Sequence, residues 1–160
     1  MRAWRTIILI VAALTLLLAI PSCDRNMVFE EYRTVEGNTW NSQDIMKFNV
    51  SITDVKPVYN FYINVRVGSD YRFANLFLFM KTLYPTGKVS VDTVECFLAD
   101  VDGRWLGERS GSSIDNRILM RKNLKFNEPG LYSFEFEQAM RDTALQNIED
   151  FGIRIEKAEQ

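Results

Sequence analysis

The chain has 160 residues, 47% of them hydrophobic and 25% charged, with 19 Lys+Arg against 21 Asp+Glu and a formal net charge of −2. That size suits a single domain, and a mixed, mildly acidic surface excludes the electrostatic footprint of a nucleic-acid binder. The chain has no histidine, which excludes Ser-His-Asp and Cys-His catalysis and every histidine-ligated metal site.

The N-terminus reads as an export signal. Arg2 and Arg5 precede an apolar run from Ile7 to Ile20 in which Thr15 is the sole polar residue. This is a positively charged n-region followed by an h-region. The 14-residue run is short for a membrane span, which needs roughly 20 residues. Its end, Leu18-Ala19-Ile20-Pro21-Ser22-Cys23, resembles a bacterial lipobox: a branched aliphatic at −3, a small residue at −1, then the thiol. The implied processing attaches diacylglycerol to Cys23 and cleaves before it. An ordinary secretory signal with a cysteine nearby is the competing reading. The expected organisation is a signal peptide over 1–22, a lipidated tether and the start of a first strand over 23–34, and one folded domain over 35–160. Loss of Arg2 and Arg5 leaves 17 Lys+Arg against 21 Asp+Glu, a net charge of −4. Nor does the sequence show a polybasic membrane-binding patch, so membrane affinity is expected to come from the acyl chains. Asp24-Arg25-Asn26-Met27 is not the acidic cluster expected after the cysteine of a surface-exported lipoprotein, so a periplasm-facing domain is expected.

The rest of the chain reads as strands. Phe48, Val50 and Ile52 alternate with polar residues, as do Tyr59, Phe61, Ile63, Val65 and Val67 against Asn60, Asn64 and Arg66. Residues 76–83 are apolar on both sides, which predicts a central strand covered on both faces. A turn is expected at Pro85-Thr86-Gly87-Lys88, and a strand over 89–99 follows. Asp102-Gly103 signals a hairpin, and a Gly- and Ser-rich loop is predicted over 107–116. Residues 118–126 alternate again, as do Tyr132, Phe134 and Phe136, and Phe151-Gly152-Ile153-Arg154-Ile155 closes the chain. One segment departs from this pattern. Residues 138–149 place Ala139, Met140, Ala144, Leu145 and Ile148 close to the spacing of one helical face. The expectation is all-β: a single antiparallel β-sandwich of jelly-roll type, about eight strands at regular spacing, with one short helix near the C-terminus.

Few constellations carry chemistry. Once Cys23 is lipidated, Cys96 is the one remaining thiol; in its alternating stretch it reads as a buried structural residue. Asp100-Val101-Asp102-Gly103 resembles the start of a calcium loop but lacks a ligand two residues beyond Asp102, so a turn is expected. Trp40 and Trp105 read as packing residues rather than sugar platforms, and Tyr62 is the aromatic with most reason to be exposed. Asp92-Thr93-Val94 and Asp142-Thr143-Ala144 resemble the acceptor motif of periplasmic O-glycosylation in Bacteroidota, making Thr143 and Thr93 candidate acceptors. Glu108, Arg109, Ser110, Ser112 and Ser113, in the predicted loop, are the candidate partner-binding residues. Asn64 and Arg66 come next. No cofactor, metal or small-molecule substrate is implied.

An ordered series of segments resembles the gliding-motility lipoprotein H (GldH) family. It comprises Tyr59-Asn60-Phe61-Tyr62-Ile63-Asn64-Val65-Arg66, Asp70-Tyr71, Asn75-Leu76-Phe77-Leu78-Phe79, Pro85-Thr86-Gly87 and Asp92-Thr93-Val94-Glu95. It continues through Leu98-Ala99-Asp100, Gly103-Arg104-Trp105-Leu106-Gly107, Gly130-Leu131-Tyr132 and Gln138-Ala139-Met140-Arg141. The resemblance implies a non-enzymatic, outer-membrane-anchored lipoprotein facing the periplasm. Its partners would be envelope proteins of the gliding and type IX secretion machinery, other lipoproteins among them. A glycan-binding sandwich of the cell envelope is the alternative.

Overall fold

The computed structural model describes residues 25–159, and they form strands from end to end. The strands are β1 (Met27–Thr34), β2 (Thr39–Asn41), β3 (Met46–Ile52), β4 (Tyr59–Gly68), β5 (Asn75–Leu83), β6 (Val89–Phe97), β7 (Glu108–Ser110), β8 (Ser113–Leu124), β9 (Gly130–Gln138), β10 (Ala144–Gln146) and β11 (Ile148–Lys157). They build a five-stranded sheet in the order β1-β11-β4-β8-β7, a four-stranded sheet in the order β3-β9-β5-β6, and a two-stranded ribbon of β10 and β2. Every pairing is antiparallel. The all-β sandwich expected from alternation is what forms.

Alternation works here because each large sheet buries one face. On β4, Tyr59, Phe61, Ile63, Val65 and Val67 are all buried; so are Phe48, Val50 and Ile52 on β3 and Tyr132, Phe134 and Phe136 on β9. Rings meet across the gap: Phe61 lies 5.1 Å from Phe134 and Phe136 lies 5.1 Å from Phe151, centroid to centroid. Each such side chain contributes about 1.5–3 kcal/mol by leaving water. Trp40 is also fully buried. Its ring packs 4.9 Å from Phe151 and its indole nitrogen donates to the Asp44 carbonyl at 2.8 Å.

Three expectations need correction. No helix forms over 138–149. The Gln138 side chain holds a turn there, donating to the Asp142 carbonyl at 2.8 Å and accepting from the Met140 amide at 2.9 Å. Leu145 then pairs with Trp40 in the small ribbon, and Asn147, at φ +64°, breaks the chain direction before Ile148 enters β11. Leu145 and Ile148 are both buried, but as strand residues on either side of a left-handed one. The segment 107–116 is not a loop but a tight hairpin: Glu108 pairs with Asp115 and Ser110 with Ser113, around Gly111 at φ +65°. Finally, β5 is central in its sheet yet covered on one face only. Leu76, Leu78 and Met80 are buried, whereas Phe79 and Leu83 are exposed.

Candidate functional site

The two outward faces are the surfaces on which recognition can occur, and they differ in chemistry. On the five-stranded sheet the register aligns side chains in three rows. Thr34, Asp150, Arg66 and Asp115 form the first; Tyr32, Gly152, Asn64 and Arg117 the second; Glu30, Arg154, Tyr62 and Leu119 the third. Arg66 donates to Asp115 at 2.6 Å and to Asp150 at 3.3 Å, and Thr34 donates to Asp150 at 2.8 Å. The hydrogen bond to Asp115 raises the Arg66 pKa further. Glu30 is a hub that accepts from Arg117 at 3.0 Å and from Arg154 at 3.1 Å. Arg154 is buried and also holds Glu156 at 2.9 Å, which in turn accepts from the Tyr62 hydroxyl at 2.8 Å. Burial, and then Glu156, push the Tyr62 phenol pKa up.

Gly152 leaves a gap in the second row. A Cβ there would lie 2.4 Å from the Glu31 carbonyl oxygen, so β1 approaches β11 closely only because this residue lacks a side chain. Nearby, a cavity of about 710 Å³ opens between Tyr32, Asn64, Arg66, Glu108 and Arg117. The structure thus brings together two groups the sequence named separately: Asn64 with Arg66, and Glu108 of the hairpin. Arg109 pairs with Ile114 across that hairpin. Its tip is tied down, since the Ser112 carbonyl accepts from the Ser69 amide at 2.7 Å and Ser113 donates to Glu149 at 2.7 Å. Ser110 and Ser112 are exposed. Tyr32, Arg117 and Asp150 are not among the residues the sequence singles out, because only strand register places them, with Asp115, beside Arg66.

The outward face of the four-stranded sheet mixes apolar and polar residues: exposed hydrophobic side chains cluster on β5 and β6, with Glu95 of β6 opposite Phe77, Glu137 of β9 opposite Phe79, and Asn49 and Ser51 on β3. Phe79 and Leu83 of β5, Val89, Val91 (66%) and Phe97 (59%) of β6, and Leu131 (60%) of β9 are all exposed. Thr93 lies exposed among them, opposite Phe79. One of its polar clusters centres on Glu135. Glu135 accepts from Lys81 at 3.0 Å and pairs with Lys47 at 3.1 Å, and these ammonium groups hold its carboxyl below the usual range. Strand β6 ends the sheet, and its register with β5 runs without a bulge. Of the devices that blunt such edges, β6 carries no Pro, Lys or bulge, but it does carry the exposed Glu95 and an inward-pointing Asp92 that lies 4.0 Å from Arg121.

Cys23 lies outside the described residues. Thr143 is exposed in the turn after β9, its carbonyl accepting from the Ser42 amide at 2.8 Å. Cys96 is fully buried, and burial pushes its thiol up to about 12. Asp100 accepts from the Asp102 and Arg104 amides at 2.9 Å each, which makes it the cap of a turn with Gly103 at φ +79°. The Arg104 backbone bond, foremost, lowers its pKa. Trp105 and Tyr62 are both half-buried and form no stacked pair with each other.

Comparison with known proteins decides the family. A sequence profile described as GldH lipoprotein matches residues 27–155. The chain belongs to the GldH lipoprotein family. A protein of Christiangramia forsetii named gliding motility lipoprotein GldH homolog is 35% identical, the match covering 86% of this chain and 88% of the relative. The gliding motility lipoprotein GldH of Flavobacterium johnsoniae is 33% identical across 98% of this chain and 99% of its own length. The GldH match thus takes in both outward faces, from the start of β1 to Ile155 near the end of β11.

Proposed function

We propose that this chain is an outer-membrane lipoprotein, anchored through Cys23 and facing the periplasm, that supports the gliding-motility and type IX secretion machinery by binding protein rather than by catalysis. Membership of the GldH family, with relatives named for gliding motility, supports the setting. The observation that carries the mode of action is the group of exposed hydrophobic side chains on β5 and β6 beside the β6 edge, which has no Pro, Lys or bulge. A row of unpaired backbone amides and carbonyls next to alternating apolar side chains is what an extended segment of a partner protein pairs with. The partner is therefore read as a strand donor from the same envelope machine. Its apolar side chains would lie over Val89, Val91 and Phe97, the kind of desolvated centre that dominates interface energy.

The two acceptor motifs bear on this differently. A glycan on Thr93 would stand among these exposed hydrophobic side chains and block them, so Thr143 is the acceptor compatible with docking.

The test is complementation combined with capture. A strain lacking the gene should lose spreading and secretion, and wild-type protein should restore both. Folded Val91→Glu/Phe97→Glu protein should restore neither and should recover no machine component from detergent-solubilised envelopes. Full complementation by that variant would exclude β6 as the docking edge. Self-association in sedimentation, abolished by the same substitutions, would instead identify a second copy of the chain as the occupant. For the anchor, Cys23→Ser should abolish palmitate incorporation; equal labelling of mutant and wild type would remove Cys23 from the proposal.

A further inference from the structure

Five of the seven lysines in the chain fall at one end of the sandwich: Lys56, Lys88, Lys122, Lys125 and Lys157. They come from four separate segments, so no run of the sequence displays them together. The fold gathers them. Lys157 pairs across the sheet with Tyr59, and Tyr59 pairs with Leu124, between Lys122 and Lys125. Lys56 lies in the connection that enters β4 at Tyr59. The hairpin bearing Lys88 is joined to the same end by a chain of rings: Tyr84 to Tyr132 at 5.7 Å, Tyr132 to Phe126 at 4.8 Å, and Phe126 to Tyr59 at 5.2 Å. Asp54, Glu128 and Glu159 lie at this end too, while Glu156 is taken up by Arg154 and Tyr62. The two lysines elsewhere, Lys47 and Lys81, both hold Glu135. Among the described residues, no ion pair engages the five at this end. The opposite end has no lysine and carries Glu36, Asp44, Asp70, Asp100, Asp102, Glu108 and Asp142 against four arginines, Arg72, Arg104, Arg109 and Arg141.

The lysine end is also where the chain would leave for its anchor. The Asn26 carbonyl accepts from the Lys157 amide at 2.8 Å, and Met27 begins β1 opposite Glu156. Cys23 precedes Met27 by four residues, which span at most about 14 Å even when extended. The polar layer on each side of a bilayer is roughly 5–8 Å thick, so a lysine stem at this end reaches it. A polar cavity of about 510 Å³ opens at the same place, with Lys122, Lys157, Asn60 and Asn123 in its lining beside the carboxylates of Glu156 and Glu159. We infer that this end of the sandwich is a membrane-contacting face whose lysines bind the phosphates of anionic phospholipid headgroups, orienting the domain with its acidic end away from the bilayer. The inference rests on the lipid anchor at Cys23 and adds to it a second, electrostatic attachment. One acyl-anchored residue plus a basic surface is the combination that gives stable, oriented membrane binding.

The experiment uses the mature lipidated protein in phosphatidylcholine vesicles with and without phosphatidylglycerol. Lysines are labelled with a water-soluble acylating reagent and their rates read by peptide mass spectrometry, with Lys47 and Lys81 as internal references. Labelling of Lys122, Lys125 and Lys157 should slow by about fivefold in the anionic vesicles, the factor expected for one cation near an anionic surface. Added salt should restore it. Lys122→Glu/Lys157→Glu protein should still float with vesicles through its acyl chains but lose the difference between the two compositions. Equal labelling in both vesicle types, for wild-type protein that floats, would overturn the inference and leave the anchor standing. Wild-type protein that does not float would remove the anchor and the inference together. Protection of the same lysines by inorganic phosphate in detergent micelles would mark a soluble-anion site and overturn the membrane assignment.

Discussion

The two outward faces of this sandwich solve the same problem in opposite ways. On the five-stranded sheet every row is closed by charge: Glu30 between Arg117 and Arg154, Arg66 between Asp115 and Asp150. On the four-stranded sheet Phe79, Val91, Phe97 and Leu131 are left in water, among fewer paired charges, chiefly Glu135 with Lys81 and Lys47. A self-contained network satisfies its own hydrogen bonds and gains little from a partner, whereas exposed apolar surface beside a free edge gains a good deal by being covered. Function and stability are therefore expected to separate between the faces.

The largest effect should come from the buried member of the charged face. Arg154→Ala would leave Glu30 and Glu156 without the guanidinium between them; both carboxylates are partly exposed and keep Arg117 and Tyr62, so the cost should be about 2–3 kcal/mol. Urea denaturation of the purified domain checks this; a loss under 1 kcal/mol would mean that the network is held by its other members. Next is the inner layer that both faces share. The Cys96 thiol is raised by burial from its ordinary 9.0 to about 12. A raised acid leaves stability intact below the unfolded value and loses it as pH rises between the two. Relative to Cys96→Ala, the wild type should therefore lose roughly 1 kcal/mol by about pH 10. The thiol should also resist alkylation until the protein unfolds.

Smaller again is the Glu135 cluster. Glu135→Gln removes pairs whose lysines are half-exposed, and should cost only about 0.5 kcal/mol. Because the folded carboxyl sits below its usual range, that difference should be present at neutral pH and vanish as pH falls through the folded value. The smallest effect on stability belongs to Val91→Glu/Phe97→Glu, within about 0.5 kcal/mol of wild type, although these are the substitutions expected to abolish partner recovery. A large loss of stability in that pair would make the face structural and erase the contrast.

What was legible in the sequence was whatever a half-buried strand writes into it. Residues 59–67 alternate because one side packs into the core, where Phe61 meets Phe134 of the other sheet, and the other side does not. Residues 76–83 misled for a related reason: an apolar side chain reads the same whether another layer covers it or a partner is meant to. The helical spacing of 138–149 came from Leu145 and Ile148, both buried, with the left-handed Asn147 between them. The three-residue strands β2, β7 and β10 are too short to show a period at all. For the candidate site, Asn64 and Arg66 were visible as outward residues, but their partners Asp115, Arg117 and Asp150 are 49 or more residues away from Arg66 in sequence and are joined to it only by register. The lysine end was invisible for the same reason, being assembled from four segments.

The pairing of β1 with β11 has a mechanical consequence. Backbone hydrogen bonds in an antiparallel pair run perpendicular to the strands. A pull entering at Met27 along the axis of β1 therefore loads the ladder from Met27 to Thr34 in shear, all rungs sharing the force, instead of peeling them one by one. Beyond β11 the load passes to β4, whose pairing runs from Tyr59 to Val67 and on into β8. A domain tethered at its first strand and gripped elsewhere by a moving partner would carry tension through its longest ladders, a geometry suited to a component that must hold while force is transmitted across an envelope.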